Sequence, residues 1–249
     1  MKARTCLVTG AGQGIGKAIA GRLSAAGHRV ALTARDADRL DRTASGLPGP
    51  ALALPGDVTT DVDAVFDAVE QRWGTVDVVV LNAGTASSAP LTGTTDEQWQ
   101  RALEVNLTAP FRFLRRAVPG MTSAGWGRVV VIASIAAKRG DPYVTAYTAS
   151  KHGVLGLVRA AAAELAGTGV TVNAVCPGFV DTAMTESTIS NITAKTGRSA
   201  QEARRILENR QPIGRLITPG EVADAVELCL LSDAITGQSI NVDGGAVQS

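Results

Sequence analysis

"TGAGQGIG", Thr9–Gly16, follows the apolar run "TCLVT" (Thr5–Thr9) and leads into "GIGKAIAGRLSAAG". Gly10, Gly14 and Gly16 give the spacing Gly-x-x-x-Gly-x-Gly, with Gly12 as an extra. A strand, a glycine turn and a helix in that order gather free backbone amides and a positive dipole end at the turn. Glycine lets the backbone turn sharply and come close to an anion, so the stretch reads as a cradle for the pyrophosphate of a dinucleotide. Gln13 and Ile15 belong to the same cradle. A glycine-rich loop by itself is also an ordinary turn; its position after the first strand of an alternating chain favours the cradle.

Outward from the loop, short β-branched runs alternate with longer helical stretches. The strand candidates after the first are Arg29–Ala34, Ala51–Gly56, Asp77–Asn82, Arg128–Ser134, Val170–Val175 and Ser239–Gly244. Several are apolar throughout, as strands covered on both faces of a parallel sheet must be. Between them, "DVDAVFDAVEQRWG", "TDEQWQRALEVNLTAPFRFLRRAV", "YTASKHGVLGLVRAAAAELAG" and "TPGEVADAVELCLLS" carry apolar residues at helical spacing. The order predicts an α/β fold: a single-domain, Rossmann-type, doubly wound parallel sheet of seven strands with helices on both faces. No linker or repeat divides residues 1–249, so they read as one dinucleotide-binding and catalytic domain. One stretch breaks the rhythm. Residues 183–212 carry five basic and three acidic residues after a strand's carboxyl end, where ligands sit in open α/β sheets. They read as a substrate lid, with a solvated surface helix pair as the plainer alternative.

Composition removes other classes. A formal charge of +1 gives no basic field for nucleic acid, and no apolar run approaches the roughly 20 residues that cross a bilayer. The start "MKARTCLVTG" has the character of a strand and not of a signal peptide. Cys6, Cys176 and Cys229 lack metal-type spacing and read as reduced, buried residues of a cytoplasmic protein. With only His28 and His152 besides, no metal site is expected.

The end of the second strand sets the nucleotide. An acid there would hold the ribose hydroxyls of NAD, whereas an arginine suits the extra phosphate of NADP. The chain reads "LTARDADRL", so Arg35 points to NADP(H) over NAD(H), and Asp36 is expected to cap the next helix. A second polar constellation is "YTASK", Tyr147–Lys151. Residues four apart share a helical face, about 5–6 Å between Cβ atoms. At an effective dielectric of about 20, an ammonium about 6 Å away favours a phenolate by roughly 3 kcal/mol. That would lower a phenol from about 10 toward ~8 and poise Tyr147 for proton transfer.

With the glycine loop, "LNAG" (Leu81–Gly84), Ser134, "YTASK" and "CPGFVDT" (Cys176–Thr182) in order, the chain resembles the short-chain dehydrogenase/reductase family over nearly its whole length. It is most similar there to 3-oxoacyl-acyl-carrier-protein reductases and polyketide ketoreductases. The resemblance implies that Gly10, Gly14 and Gly16 line the pyrophosphate and that Asp57, with Val58, meets the adenine. Asn82, Ala83 and Gly84 would border the adenosine half. Pro177, Gly178, Val180 and Thr182 would lie toward the nicotinamide. Ser134, Tyr147 and Lys151 match the catalytic triad, with Tyr147 and Lys151 also touching the cofactor, and Asn106 matches the asparagine that completes a tetrad through water. Leu81 stands where most members have another asparagine. Arg128 matches a basic position that docks carrier protein, while Thr168 lies where a second arginine is common.

The implied activity is NADPH-dependent reduction of a 3-oxoacyl thioester or similar β-keto compound to a secondary alcohol, carried on acyl carrier protein, on coenzyme A or free. A secondary-alcohol dehydrogenase acting on a 3-hydroxybutyrate-like or cyclic alcohol is the alternative. A dinucleotide sensor without catalysis is a remoter one, with no need of the triad. The resemblance also implies a homotetramer.

Overall fold

The computed structural model describes residues 2–248. Seven strands form one sheet: β1 (Thr5–Thr9), β2 (Arg29–Ala34), β3 (Ala51–Pro55), β4 (Val78–Leu81), β5 (Gly127–Ile132), β6 (Val170–Pro177) and β7 (Ser239–Val242). They lie in the order β3-β2-β1-β4-β5-β6-β7, every pair parallel. The sequence-predicted strands are all present with ends within two residues, because β-branched runs bounded by turn residues leave little freedom in where a strand starts or stops.

Nine helices connect them among the described residues: α1 (Gly14–Ala25), α2 (Ala37–Ser45), α3 (Val62–Trp73), α4 (Asp96–Leu103), α5 (Ala109–Ser123), α6 (Thr145–Glu164), α7 (Ala183–Thr196), α8 (Ala200–Asn209) and α9 (Pro219–Leu231). The sheet has a core on each face. Leu7, Val79, Val129, Val131 and Val172 point to the side covered by α3, α5 and α6. Their neighbours Val8, Val80, Val130 and Val175 point to the side covered by α1, α2 and α9. Alternate residues feed opposite cores, which is why these strands carry no polar face.

One helical expectation changes. The stretch read as one helix from Thr95 onward is α4 and α5 joined by a π-helical turn, Glu104–Thr108. Residues 183–212 are the helix pair α7 and α8, which has its own small apolar core of Ile189, Ala203, Leu207 and Leu216. The pair is fastened by Arg204 on α8, whose guanidinium reaches Asp181 at 3.0 Å, Glu186 at 2.8 Å and Glu208 at 3.3 Å. Thr218 and Glu221 form a capping box at the start of α9.

Arg128 is not a docking cation. It is 1% exposed, with its guanidinium against the Trp126 ring and donating to the carbonyls of Gly127, Gly169 and Leu230. It also pairs with Asp233. Its side chain ties β5 to the end of α9 and leaves no guanidinium face for a partner protein.

Candidate active site

The chain leaves β1 in one direction to build β2 and β3, and in the other to build β4 through β7. The carboxyl ends of β1 and β4 therefore flank a switch point, where an open sheet forms a crevice. Gly10 follows β1, Arg35 follows β2, Asp57 follows β3, Asn82–Gly84 follow β4, Ser134 follows β5 and Gly178 follows β6. One edge of the sheet thus collects the residues singled out from the sequence.

The glycine loop is held from below. Thr9 Oγ1 accepts the amides of Asn82 and Ala83, each at 3.0 Å, while Asn82 Nδ2 donates to the carbonyls of Thr9 and Gly10 at 3.0 and 3.1 Å. A Cβ on Gly16 would lie 2.3 Å from the Gly10 carbonyl oxygen, so no other residue fits there. Gly14 has φ +55°, and its would-be Cβ lies 3.2 Å from Thr182 Cγ2, which brings the loop after β6 up against the glycine loop. Gln13 makes no side-chain cap and the first turn of α1 has no acid, so the leading amides of α1 remain open to an anion. This geometry fits a dinucleotide pyrophosphate. Ile15, partly buried, packs its side chain against the second core.

At the adenosine end, Arg35 is exposed. Asp36 caps α2 by accepting the Arg39 amide at 3.0 Å, as the sequence suggested. Arg39 went unread: its guanidinium pairs with Asp36 at 3.0 Å and bonds to Gln13, so a second cation stands beside the glycine loop. Its place in the first turn of α2, three residues after the cap, was the available signal. Asp57 Oδ1 accepts the amide and hydroxyl of Thr59, and these bonds hold the carboxyl below its ordinary range. Val58 packs against the first core.

The opposite end holds the chemistry. Ser134 Oγ accepts the Ala136 amide at 3.1 Å, and its hydroxyl is near enough to that of Tyr147 to favour the ionised phenol. Tyr147 and Lys151 lie on α6, with Lys151 Nζ 5.6 Å from the Tyr147 ring centre and donating to the Ile132 carbonyl at 3.0 Å. Lys151 is 4% exposed. Here the expected acidic phenol is corrected: burial raises the Tyr147 pKa, and the nearby Ser134 hydroxyl offsets it only in part. The same burial lowers the Lys151 ammonium to about 8. Removal from water opposes both charged forms, and the sequence estimate left that cost out. Cys176, fully buried next to this pair, is kept a neutral thiol by burial.

Asn106 sits in the π-helical turn, 1% exposed. Its Oδ1 accepts the Thr85 amide and its Nδ2 donates to the Thr85 carbonyl, both at 2.9 Å, and to Ser150 Oγ at 3.0 Å. The side chain is thus spent on anchoring the loop after β4 to α6. Pro177 ends β6, and Gly178 follows it ahead of the loop bearing Thr182. Val180 is turned into the second core, with its carbonyl accepting from Thr182 and Thr185. Tyr143, with φ +68° where a side chain is strained, accepts the Ala89 amide and so joins the loop after β4 to the approach to α6. No group of ligand-type side chains for a metal occurs among the described residues, and no helix there is long and apolar enough to cross a membrane.

Residues 10–247 match a family described as enoyl-(acyl carrier protein) reductase. The chain is 42% identical over 248 residues to the ketoacyl reductase 1 assigned to the granaticin polyketide synthase of Streptomyces violaceoruber, covering 96% of this chain and 91% of that one. It is 40% identical over 246 residues to the 3-oxoacyl-[acyl-carrier-protein] reductase MabA of Mycobacterium tuberculosis, covering 97% and 92%. Among solved structures, a tryptophan-substituted actinorhodin polyketide ketoreductase with NADPH superposes with a TM-score of 0.93 at 39% identity, covering 98% of this chain and 97% of that one.

Proposed function

The chain belongs to the short-chain dehydrogenase/reductase family, and we propose that it is an NADPH-dependent ketoreductase acting on a 3-oxoacyl thioester or similar β-keto substrate. The observation that carries this reading is the gathering of Ser134, Tyr147 and the buried Lys151 ammonium at the edge of the sheet that also carries the glycine cradle, with Lys151 Nζ 5.6 Å from the Tyr147 ring centre. Two hydroxyls within reach of one another can both donate to a single carbonyl oxygen as negative charge builds on it. NADPH, when bound, supplies the hydride. Tyr147 gives its proton to that oxygen, Ser134 holds the oxygen in place, and Lys151 offsets the charge left on the phenol. A phenol raised by burial stays protonated at neutral pH and so is ready to donate.

Gly10, Gly14, Gly16 and Gln13 would take the pyrophosphate. Arg35, with Arg39 beside it, would take the 2′-phosphate, and Asp57 and Asn82–Gly84 would take the adenosine half. Pro177, Gly178 and Thr182 would border the nicotinamide. The helix pair α7–α8 serves as the lid over a single catalytic domain. Leu91, Tyr143 and Ile213 in the connections around this edge and Met184 at the start of α7 are exposed large apolar side chains, which suits an apolar acyl or ring-bearing substrate. Leu228 and Leu231 on α9 are exposed as well, in keeping with a homotetramer.

The test is consumption of NADPH and of NADH by purified protein offered acetoacetyl-CoA, a cyclic diketone and an aromatic ketone. Reduction of at least the β-keto thioester, with NADPH preferred, is expected. Oxidation of 3-hydroxybutyrate with NAD as the sole activity would replace this reading with that of an alcohol dehydrogenase.

A further inference from the structure

Gln211 is 1% exposed, and its amide is fully used. Its Oε1 accepts the Phe179 amide at 2.8 Å, and its Nε2 donates to the carbonyls of Phe179 at 3.2 Å and Arg215 at 2.6 Å. Phe179 is the residue after Gly178, just beyond the end of β6. Gly178 still pairs with the last residue of β7, donating to the Val242 carbonyl at 3.0 Å, but β7 stops there. At the next residue the Gln211 side chain supplies the acceptor for the Phe179 amide that a neighbouring strand would have offered, and its Nε2 shares the Phe179 carbonyl with a backbone amide. Ile217 adds a bond to the Phe179 carbonyl at 2.9 Å, and Asp181 donates to the Ile217 carbonyl at 2.8 Å. The two ends of the helix pair α7–α8 are therefore sewn into one neck, and Gln211 is the side chain that sews it. The fit is close: a Cβ on Gly178 would lie 2.2 Å from Gln211 Oε1.

We infer that Gln211 is a positioning residue which fixes the Gly178–Phe179 backbone as the nicotinamide-side wall of the cofactor cleft. The inference rests on the dinucleotide reading of the cleft. It needs an amide at this position and not merely a side chain of the right volume. Glutamine has two N–H donors for two carbonyls and one acceptor for one amide. An ionised glutamate would turn two acceptors on two carbonyls. A protonated glutamic acid would regain one donor and keep the acceptor, and burial raises its pKa.

The measurement is NADPH affinity by fluorescence titration, with no carbonyl substrate present, for wild type, Gln211→Met and Gln211→Glu, each checked for folding by circular dichroism. Wild type must bind NADPH; if it does not, the dinucleotide reading fails before this inference is reached. Gln211→Met, of matching size without hydrogen bonds, is expected to bind about tenfold more weakly, the effect of leaving a buried amide unpaired. Gln211→Glu carries the decisive arm, including the case in which the methionine variant does not fold. Its affinity relative to wild type is expected to recover between about pH 9 and about pH 6.5 as the carboxyl takes up a proton. Affinities within twofold of wild type for both variants would overturn the inference. So would a glutamate defect of equal size at both pH values.

Discussion

Lys151 keeps an ammonium where water scarcely reaches, with the Ile132 carbonyl as its hydrogen-bond acceptor. Burial brings its pKa to about 8, so it is charged at neutral pH and loses its charge just above. The expected consequence is a free-enzyme kcat/KM for carbonyl reduction that is level below about pH 8 and falls as pH rises through it. The sign follows from the charged form being the useful one: protonated Lys151 steadies the phenol as it gives up its proton, and neutral lysine does not. Lys151→Arg keeps its charge across this range, so its profile should lose that limb even if its rate is lower. The spacing of Tyr147 and Lys151 was legible in the sequence. The direction of their pKa shifts was not, because spacing carries proximity but says nothing of burial.

At the scale of elements, the π-helical turn is the departure with the clearest purpose. Apolar periodicity runs through Glu104–Thr108 with little interruption, so one extra residue per turn leaves no mark on the pattern. The turn sets Asn106 against both backbone groups of Thr85, from a buried position between the loop after β4 and α6. Asn106→Ala would leave those groups without partners at a cost of roughly 2 kcal/mol. For a chain of this size that corresponds to a Tm lower by about 4–8 °C, measurable by calorimetry. A Tm unchanged within error would mean that water takes over the two bonds. Strand ends were readable because β-branched runs announce them. Gln211 was not, since nothing in "NRQPIG" tells which backbone a buried amide will meet. The same holds for Arg128, a basic residue in an otherwise apolar strand, whose burial depends on Trp126 and Asp233 folding over it.

For the molecule as a whole, the crevice at the switch point joins loops from both halves of the sheet, so a ligand bound there holds the folded state together across β1 and β4. A ligand at a hundredfold excess over its Kd adds about 2.7 kcal/mol to stability. NADPH at that excess should raise Tm by about 5–10 °C, and NADH at equal concentration by clearly less, because Arg35 and Arg39 gain only from the 2′-phosphate. Equal shifts would remove the case for NADP. The parallel sheet and its crevice were foreseeable from strand–helix alternation, whereas the tying of the two ends of the α7–α8 pair depends on three-dimensional neighbours far apart in sequence. The most direct test of the central claim, that Tyr147 delivers the proton to a carbonyl oxygen, is NADPH oxidation with saturating β-keto thioester by Tyr147→Phe beside wild type. The expected result is a kcat lower by about 10²–10⁴-fold with NADPH affinity unchanged. A folded phenylalanine variant turning over at the wild-type rate would contradict it.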